Sequence, residues 1–213
     1  MNEMTDKAGD RRAVRAEPEV REAVRLDEEQ MAQLCEATAL AVADGEDVAW
    51  IDPPNRTTLE SYWNGILLAP HRMLFLALHD DRVCGACQLI LPGAINEAGT
   101  HAGEIATFFV APWARGRGHA RALFNRAEAE ATAAGLKVLD FSIRADRIAG
   151  IALVESLGYR RWAEKPHYAY IRGAFHTGYY YTRMLNGAAA PGQDSGQDSG
   201  QDSGQDSGEA DDR

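Results

Sequence analysis

The chain has 213 residues, 45% of them hydrophobic and 25% charged, with a formal net charge of −10. This is enough apolar material for one domain with its own core and too little length for two. Residues 193 to 213 hold six Asp and one Glu against one Arg, a charge of −6 that leaves −4 for the rest, so the body lacks the basic face of a nucleic-acid binder. No apolar run reaches membrane-spanning length and no apolar signal segment opens the chain, which predicts a cytoplasmic protein without membrane or nucleic-acid partners.

Residues 1 to 17 are polar and aperiodic and predict a disordered leader ahead of a domain over residues 18 to 187. Residues 20 to 26 alternate loosely and predict a first strand. Asp27, with Gln30 three residues on, is a helix-start signature, and Met31, Leu34, Cys35 and Thr38 follow at helical spacing until Asp44-Gly45. After the loop Asp52-Pro53-Pro54-Asn55, Thr57 or Thr58 is expected to cap a second helix with Leu59, Tyr62, Trp63, Ile66 and Leu67 on one face. Residues 73 to 78 and 83 to 91 are apolar runs around His79-Asp80-Asp81-Arg82, a hairpin by length and composition.

Cys84 and Cys87 form a Cys-x-x-Cys within that hairpin, the pattern of a redox pair or half a zinc site. An odd spacing in a strand sends two side chains to opposite faces, and no second Cys or His pair completes a metal set. Both are therefore read, with Cys35, as small buried side chains.

Residues 104 to 110, Glu-Ile-Ala-Thr-Phe-Phe-Val, read as a buried strand that Pro112 stops. Trp113 to Gly118 then carries Arg115, Gly116, Arg117 and Gly118 directly before a helical pattern. Glycines give an anion access to backbone N–H groups, a helix N-terminus adds unpaired donors and partial positive charge, and the arginines add full charges. The expected guest is a phosphate. Neither a Gly-Lys-Ser/Thr nor a third glycine is present, so the loop is neither a nucleotide-triphosphate loop nor a dinucleotide fingerprint. Downstream, Ala120, Leu123, Phe124, Ala127, Ala131 and Ala134 predict a helix closed by Gly135. Residues 137 to 143 predict a strand, 146 to 157 a shorter helix, 159 to 162 a strand and 179 to 185 a last one. Strands first, then strand and helix in alternation, predict a mixed α/β sheet. The four Gln-Asp-Ser-Gly repeats within residues 188 to 213 predict a solvated tail.

Arg115-x-x-Gly118-x-Ala120 after a strand ending in Val110 resembles the signature Gln/Arg-x-x-Gly-x-Gly/Ala of the GNAT superfamily of acyl-CoA-dependent N-acyltransferases, and Leu153-Val154-Glu155-Ser156-Leu157-Gly158-Tyr159 is similar to its second motif. Gly85-x-x-Gln88-Leu89, Glu104-Ile105 and Pro166-x-Tyr168-Ala169 further resemble the tabtoxin-resistance type, which acetylates an amino-acid-like toxin. The resemblance implies one GNAT-like domain: a central, mostly antiparallel mixed sheet flanked by helices, with acetyl-CoA at a splay between two central strands. It implies transfer of an acetyl group to a primary amine of a small molecule in a ternary complex. The alternatives are a non-catalytic acyl-CoA-binding module and a protein N-terminal or lysine acetyltransferase, and a homodimer is left open.

By the same resemblance Phe108, Val110, Arg115, Gly116, Arg117, Gly118, His119 and Ala120 hold the coenzyme, with the Val110 N–H facing the oxyanion. Glu104, which by alternation shares a face with Ala106, Phe108 and Val110, stands where several relatives keep a general base. An alkyl ammonium has a pKa of about 10, so a base is needed directly or through water; a strand-end salt bridge is the competing role for Glu104. The family's thiolate acid is commonly a tyrosine at the position of Val154. Tyr168 is the candidate to replace it, packing being its other role, unless a thiol with a pKa of about 8.5 leaves without help. Asp146 stands where many relatives have Asn, and His119 is either a phosphate donor or a solvent-facing residue.

Overall fold

The computed structural model describes residues 18–46, 48–93, 95 and 97–185; the expected leader and repeat tail lie outside these residues. Seven strands form one sheet in the order β1-β2-β3-β4-β5-β7-β6. The strands are β1 (Glu19–Glu22), β2 (Arg72–His79), β3 (Arg82–Ile90), β4 (Ala102–Val110), β5 (Val138–Arg144), β6 (Arg160–Ile171) and β7 (Ala174–Met184). Among the described residues four α-helices flank the sheet, α1 (Glu28–Ala43), α2 (Arg56–Leu68), α3 (His119–Ala133) and α4 (Ile148–Ser156), with short 3-10 turns at Glu97–Gly99 and Pro112–Ala114.

Local chemistry explains the boundaries. The Asp27 side chain accepts from the Gln30 N–H at 2.8 Å while the Gln30 side chain accepts from the Asp27 N–H at 3.2 Å, a complete capping box for α1. The cap of α2 is Asn55, whose Oδ1 takes the Thr58 N–H at 2.9 Å. The expected threonine caps instead lie in the first turn, because Asn satisfies the leading N–H groups at least as well as Thr. The turn between β2 and β3 has Asp80 and Asp81 at φ 51° and 60°, the two left-handed residues that a tight hairpin requires. β1 is shorter than its alternation suggested: Val24 is exposed and the chain leaves the sheet to meet the Asp27 cap.

The sheet carries a core on each face. Leu34, Leu59, Trp63 and Phe109 lie with α1 and α2. Ile105, Val110, Leu123, Phe124, Leu139 and Phe141 lie with α3 and α4. Cys84 and Cys87 both belong to the second core, which corrects the expectation of opposite faces. Ala77 pairs with Gly85 but Leu78 with Val83, so Cys84 is an extra residue that shifts the alternation by one. All three cysteines are free and buried.

Every neighbouring pair of strands is antiparallel except β4 and β5, which α3 joins as a parallel pair. Their ladder is short. It runs from Ala102 opposite Val138 to Ile105 opposite Phe141 and stops, although β4 continues to Val110 and β5 to Arg144. The cause sits on the other edge of β4. Gln88 pairs with Ala106 and Ala86 with Phe109, so Cys87 opposes both Thr107 and Phe108, and Thr107 takes φ 46°. Such a bulge bends its strand and holds a β-branched residue where it is strained. The Thr107 hydroxyl meets the Tyr62 hydroxyl at 3.0 Å, a tie between the bulge and α2.

Candidate active site

The divergence of β4 from β5 opens a cleft of about 790 Å³. Residues 104 to 110 form one wall and Phe141, Ser142 and Ile143 the other, while the 114–121 loop and the start of α4 close one end and Tyr168 stands at the side. Glu104, Phe108, Val110, Arg115, Gly116, Gly118, His119, Ala120 and Tyr168 all line it. Arg117 stands beside the lining, its guanidinium 2.9 Å from His79 Nε2.

The loop combines features that suit an anion. Gly116 and Gly118 have φ of 71° and 94°, values that suit glycine. Gly118 is the N-cap of α3 and brings no capping side chain, so the leading N–H groups of that 15-residue helix stay available. His119 follows, 3% exposed, with both ring nitrogens buried and without a hydrogen-bond partner among the described residues. It is therefore not the solvent-facing residue that the sequence allowed. Burial, then His79 and Arg117, holds its pKa below the usual imidazole range. A neutral imidazole left unsatisfied costs about 1–3 kcal/mol, a cost that a hydrogen-bonding ligand in the cleft would offset. On these observations a phosphate-bearing donor fits the residues present.

Val110 shows where the strand directs its own polar groups. The Ala111 N–H donates to the Cys84 carbonyl at 2.7 Å, which makes the adjacent Gly85 and Val110 a pair without mutual hydrogen bonds. The N–H and C=O of Val110 therefore point away from β3, into the gap left by β5. Its carbonyl accepts from Arg115 Nε at 3.1 Å, consistent with that direction.

The bulge also redistributes the side chains of β4. Phe108 packs against Phe124 of α3 at 4.8 Å between ring centroids, and Val110 lies in the same core. Glu104 and Ala106 face the other way: Ala106 lies opposite Gln88, whose amide donates to Tyr62 of α2 at 3.1 Å. The face that Glu104 was expected to share with Phe108 and Val110 is thus corrected, since one extra residue at Thr107 inverts the alternation. Glu104 and Asp140 are in register on adjacent parallel strands. Partial burial first, and Asp140 second, push the Glu104 pKa above the ordinary glutamate value, with Arg72 opposing. Glu104 makes no ion pair among the described residues, so its strand-end salt bridge is absent there.

Tyr168 is positioned by a feature that the sequence did not reveal. β6 and β7 were expected as short strands over residues 159 to 162 and 179 to 185, and instead form a long hairpin around Arg172 and Gly173. In it Lys165 pairs with Gly178 and Ala169 with His176, leaving three residues of β6 bulged outward. The Tyr168 ring lies on Gly178, where an added Cβ would come within 2.1 Å of Tyr168 Cγ. The phenol meets the Ser142 hydroxyl at 3.1 Å. Gly178→Ala is expected to displace the ring and to destabilise the domain by about 1–3 kcal/mol, as overpacking does. Equilibrium denaturation at unchanged slope measures this, and an unshifted midpoint refutes the packing role of Gly178.

Sequence reading missed the residues across the cleft mouth. Arg115 reaches Asp44 Oδ2 at 2.5 Å and Glu46 Oε1 at 2.9 Å in the segment after α1. Arg144, 6% exposed, donates to the Gly45 carbonyl at 2.8 Å and to Asp146 at 3.1 Å. Burial works to raise the Asp146 pKa, but hydrogen bonds from Arg147 and Arg144 outweigh it and hold the carboxyl low. Asp146 therefore anchors arginines and does not cap α4, which begins after Arg147. The ties of Arg115 to Asp44 and Glu46 and of Arg144 to Gly45 span 71, 69 and 99 positions, and no local pattern signals them.

A mixed sheet split between its two parallel strands, with a glycine loop and a helix N-terminus set in the split, is the architecture that the GNAT resemblance implied. The chain belongs to the acetyltransferase (GNAT) family, whose model matches residues 33–159. It is 44% identical over 111 residues to an uncharacterized N-acetyltransferase from the hisH-hisA intergenic region of Azospirillum brasilense, a match spanning 52% of this chain and 66% of that protein. An N-acetyltransferase from Staphylococcus aureus Mu50 superposes with a TM-score of 0.68 at 19% identity, over 80% of this chain and all of that one. The yncA protein of Salmonella typhimurium, solved with its cofactor acetyl-CoA, gives 0.65 at 20% identity over 84% of this chain and 99% of its own. At these identities the two structures establish the fold. No helix among the described residues is long and apolar enough to cross a membrane.

Proposed function

We propose that the protein transfers an acetyl group from acetyl-CoA to a primary amine of a small molecule, directly within a ternary complex. The observation that carries this reading is the cleft itself, with a glycine loop suited to an anion at one end and, on its wall, Glu104, which has no ion pair among the described residues. Acetyl-CoA supplies an activated thioester. The cradle residues Gly116, Arg117, Gly118, His119 and Ala120 hold its phosphates, and Phe108 and Val110 wall the acyl end. The Val110 N–H offers a donor to the carbonyl oxygen, as an oxyanion hole does. Glu104 takes a proton from the acceptor ammonium, and its raised pKa suits a base better than an ordinary glutamate does. Tyr168, oriented by Ser142, is the proton donor that stands in for the tyrosine absent at Val154.

A small acceptor is favoured because the connection after α1 crosses the face that Glu104 occupies. Arg144 holds it at Gly45, and Arg172 at the β6–β7 turn reaches Asp52 at 2.9 Å. Incubation with acetyl-CoA and a panel of small amines, amino acids and lysine peptides, read as free thiol, tests the reading. Turnover of a small primary amine is expected. Binding of acetyl-CoA without turnover would leave a non-catalytic acyl-CoA module, and turnover of peptides alone would make the chain a protein acetyltransferase.

A further inference from the structure

Gln88 is a motif residue to which the proposed transfer gives no role. It is 0% exposed, and a buried amide must find partners for both of its ends. Its N–H donates to the Tyr62 hydroxyl at 3.1 Å, and that hydroxyl meets the Thr107 hydroxyl at 3.0 Å, so one end is tied to α2 and to the bulge of β4. The other end accepts from Arg72 Nη1 at 2.7 Å. Arg72 opens β2 and is half-buried; the amide turns a long cation, free to extend into solvent, back over the sheet.

The strand register shows what this cation is turned toward. Arg72, Ile90, Glu104, Asp140, Thr182 and Arg160 are successive partners across β2, β3, β4, β5, β7 and β6, one row across the sheet. Glu104 therefore has a like charge beside it on β5. On its other side stands a cation that leans over Gln88, which is itself opposite Ala106. The two act on the Glu104 carboxyl in opposite senses, Asp140 favouring its protonated form and Arg72 its charged form. The neighbouring elements add the Tyr62 phenol from α2, the uncharged Thr182 from β7 and, beyond it, the exposed Arg160 of β6. Glu46 and Asp146 of the cleft lining are held by Arg115 and by Arg144 and Arg147. Arg72 makes no ion pair among the described residues, so its charge is not committed to a carboxylate there.

We propose that Arg72, braced by Gln88, is a positioning residue for the base: its guanidinium offsets the Asp140 charge and keeps Glu104 a carboxylate while the acceptor must lose its proton. The assignment rests on Glu104 being that base.

The pH profile of kcat/KM, which reports the essential base of the free enzyme, tests it with the small amine that the acceptor panel turns over best. The chains compared are the unaltered one, R72Q, R72K, Q88M, D140N and E104Q. Removing a cation favours the protonated carboxyl, so R72Q is expected to move the acid limb up by about one pH unit, the lower end of what a nearby opposite charge does. R72K should hold most of the limb in place because the charge remains. Q88M should move it up part of the way, because the cation loses its brace, and D140N should move it down. The KM for acetyl-CoA should stay near that of the unaltered chain throughout. A limb that R72Q leaves unmoved overturns the assignment: with a raised acceptor KM it makes Arg72 an acceptor contact, and with a uniform loss across pH and a lowered melting temperature a structural residue. If R72Q does not fold, unmoved limbs in Q88M and D140N overturn it equally. An acid limb that survives in E104Q removes Glu104 as the base and this assignment with it, whereas a limb lost in E104Q but unmoved in R72Q removes the assignment alone.

Discussion

Gly118→Glu is expected to abolish acetyl-CoA binding in a calorimetric titration while leaving far-ultraviolet circular dichroism unchanged. Three effects act together at this position. The residue sits at φ 94°, where any side chain is strained by about 1–3 kcal/mol. An added Cβ would come within 3.2 Å of Pro18 Cγ, so the new side chain is crowded on that side. Its carboxylate would stand at the N-terminus of α3 and compete with the ligand for the same N–H groups. Gly116→Ala is the comparison: φ is 71° there, but nothing lies within 4 Å of the added atom, so only backbone strain should appear. Equal affinity of the Gly118 variant and the unaltered chain would remove the cradle from the binding site.

Glu104→Gln is expected to lower kcat by roughly 10²- to 10⁴-fold with acetyl-CoA affinity unchanged, the usual contribution of a positioned base. Glutamine keeps the size of the side chain and loses only its basicity. The loss should shrink as pH rises, because more acceptor is then already free amine. Burial and Asp140 raise the Glu104 pKa, so the acid limb of kcat/KM in the unaltered enzyme should lie above the ordinary glutamate range. The carboxylate is the active form, and activity falls as pH drops through that raised value. A stable variant with near-normal kcat across pH would take Glu104 out of the mechanism. An unchanged kcat with a lowered melting temperature would make it structural.

The features legible in the sequence were those that neighbouring residues decide. The Asp27 and Gln30 cap, the helical faces of α1 and α3, and the Arg-Gly-Arg-Gly loop follow from spacing and residue type, and the family motif sits where strand meets helix. The features not legible depend on an extra residue or on distant partners. The bulges at Thr107 and Cys84 each shift an alternation by one, which turned correct strand assignments into wrong faces for Glu104 and the cysteine pair. The β6–β7 hairpin was underestimated because β6 is an edge strand with most of its side chains exposed, so it lacks the apolar run that marks a buried strand. The ties of Arg115 to Asp44 and of Arg144 to Gly45 exist only once the chain has folded back on itself.

The short parallel ladder has a meaning for how the molecule divides its stability. Between β4 and β5 four residue pairs form, and beyond them the facing edges forgo the hydrogen bonds that a closed sheet would make. A chain selected for stability alone would zip this seam shut, and omitting the single residue at Thr107 would restore the phase of β4 and invite that closure. The domain keeps the seam open by holding one β-branched residue in an unfavourable conformation and bracing it with Tyr62. The cleft is therefore a stretch of sheet left unbuilt, and on the proposed function the backbone edges that ordinary strands spend on each other are reserved for the donor.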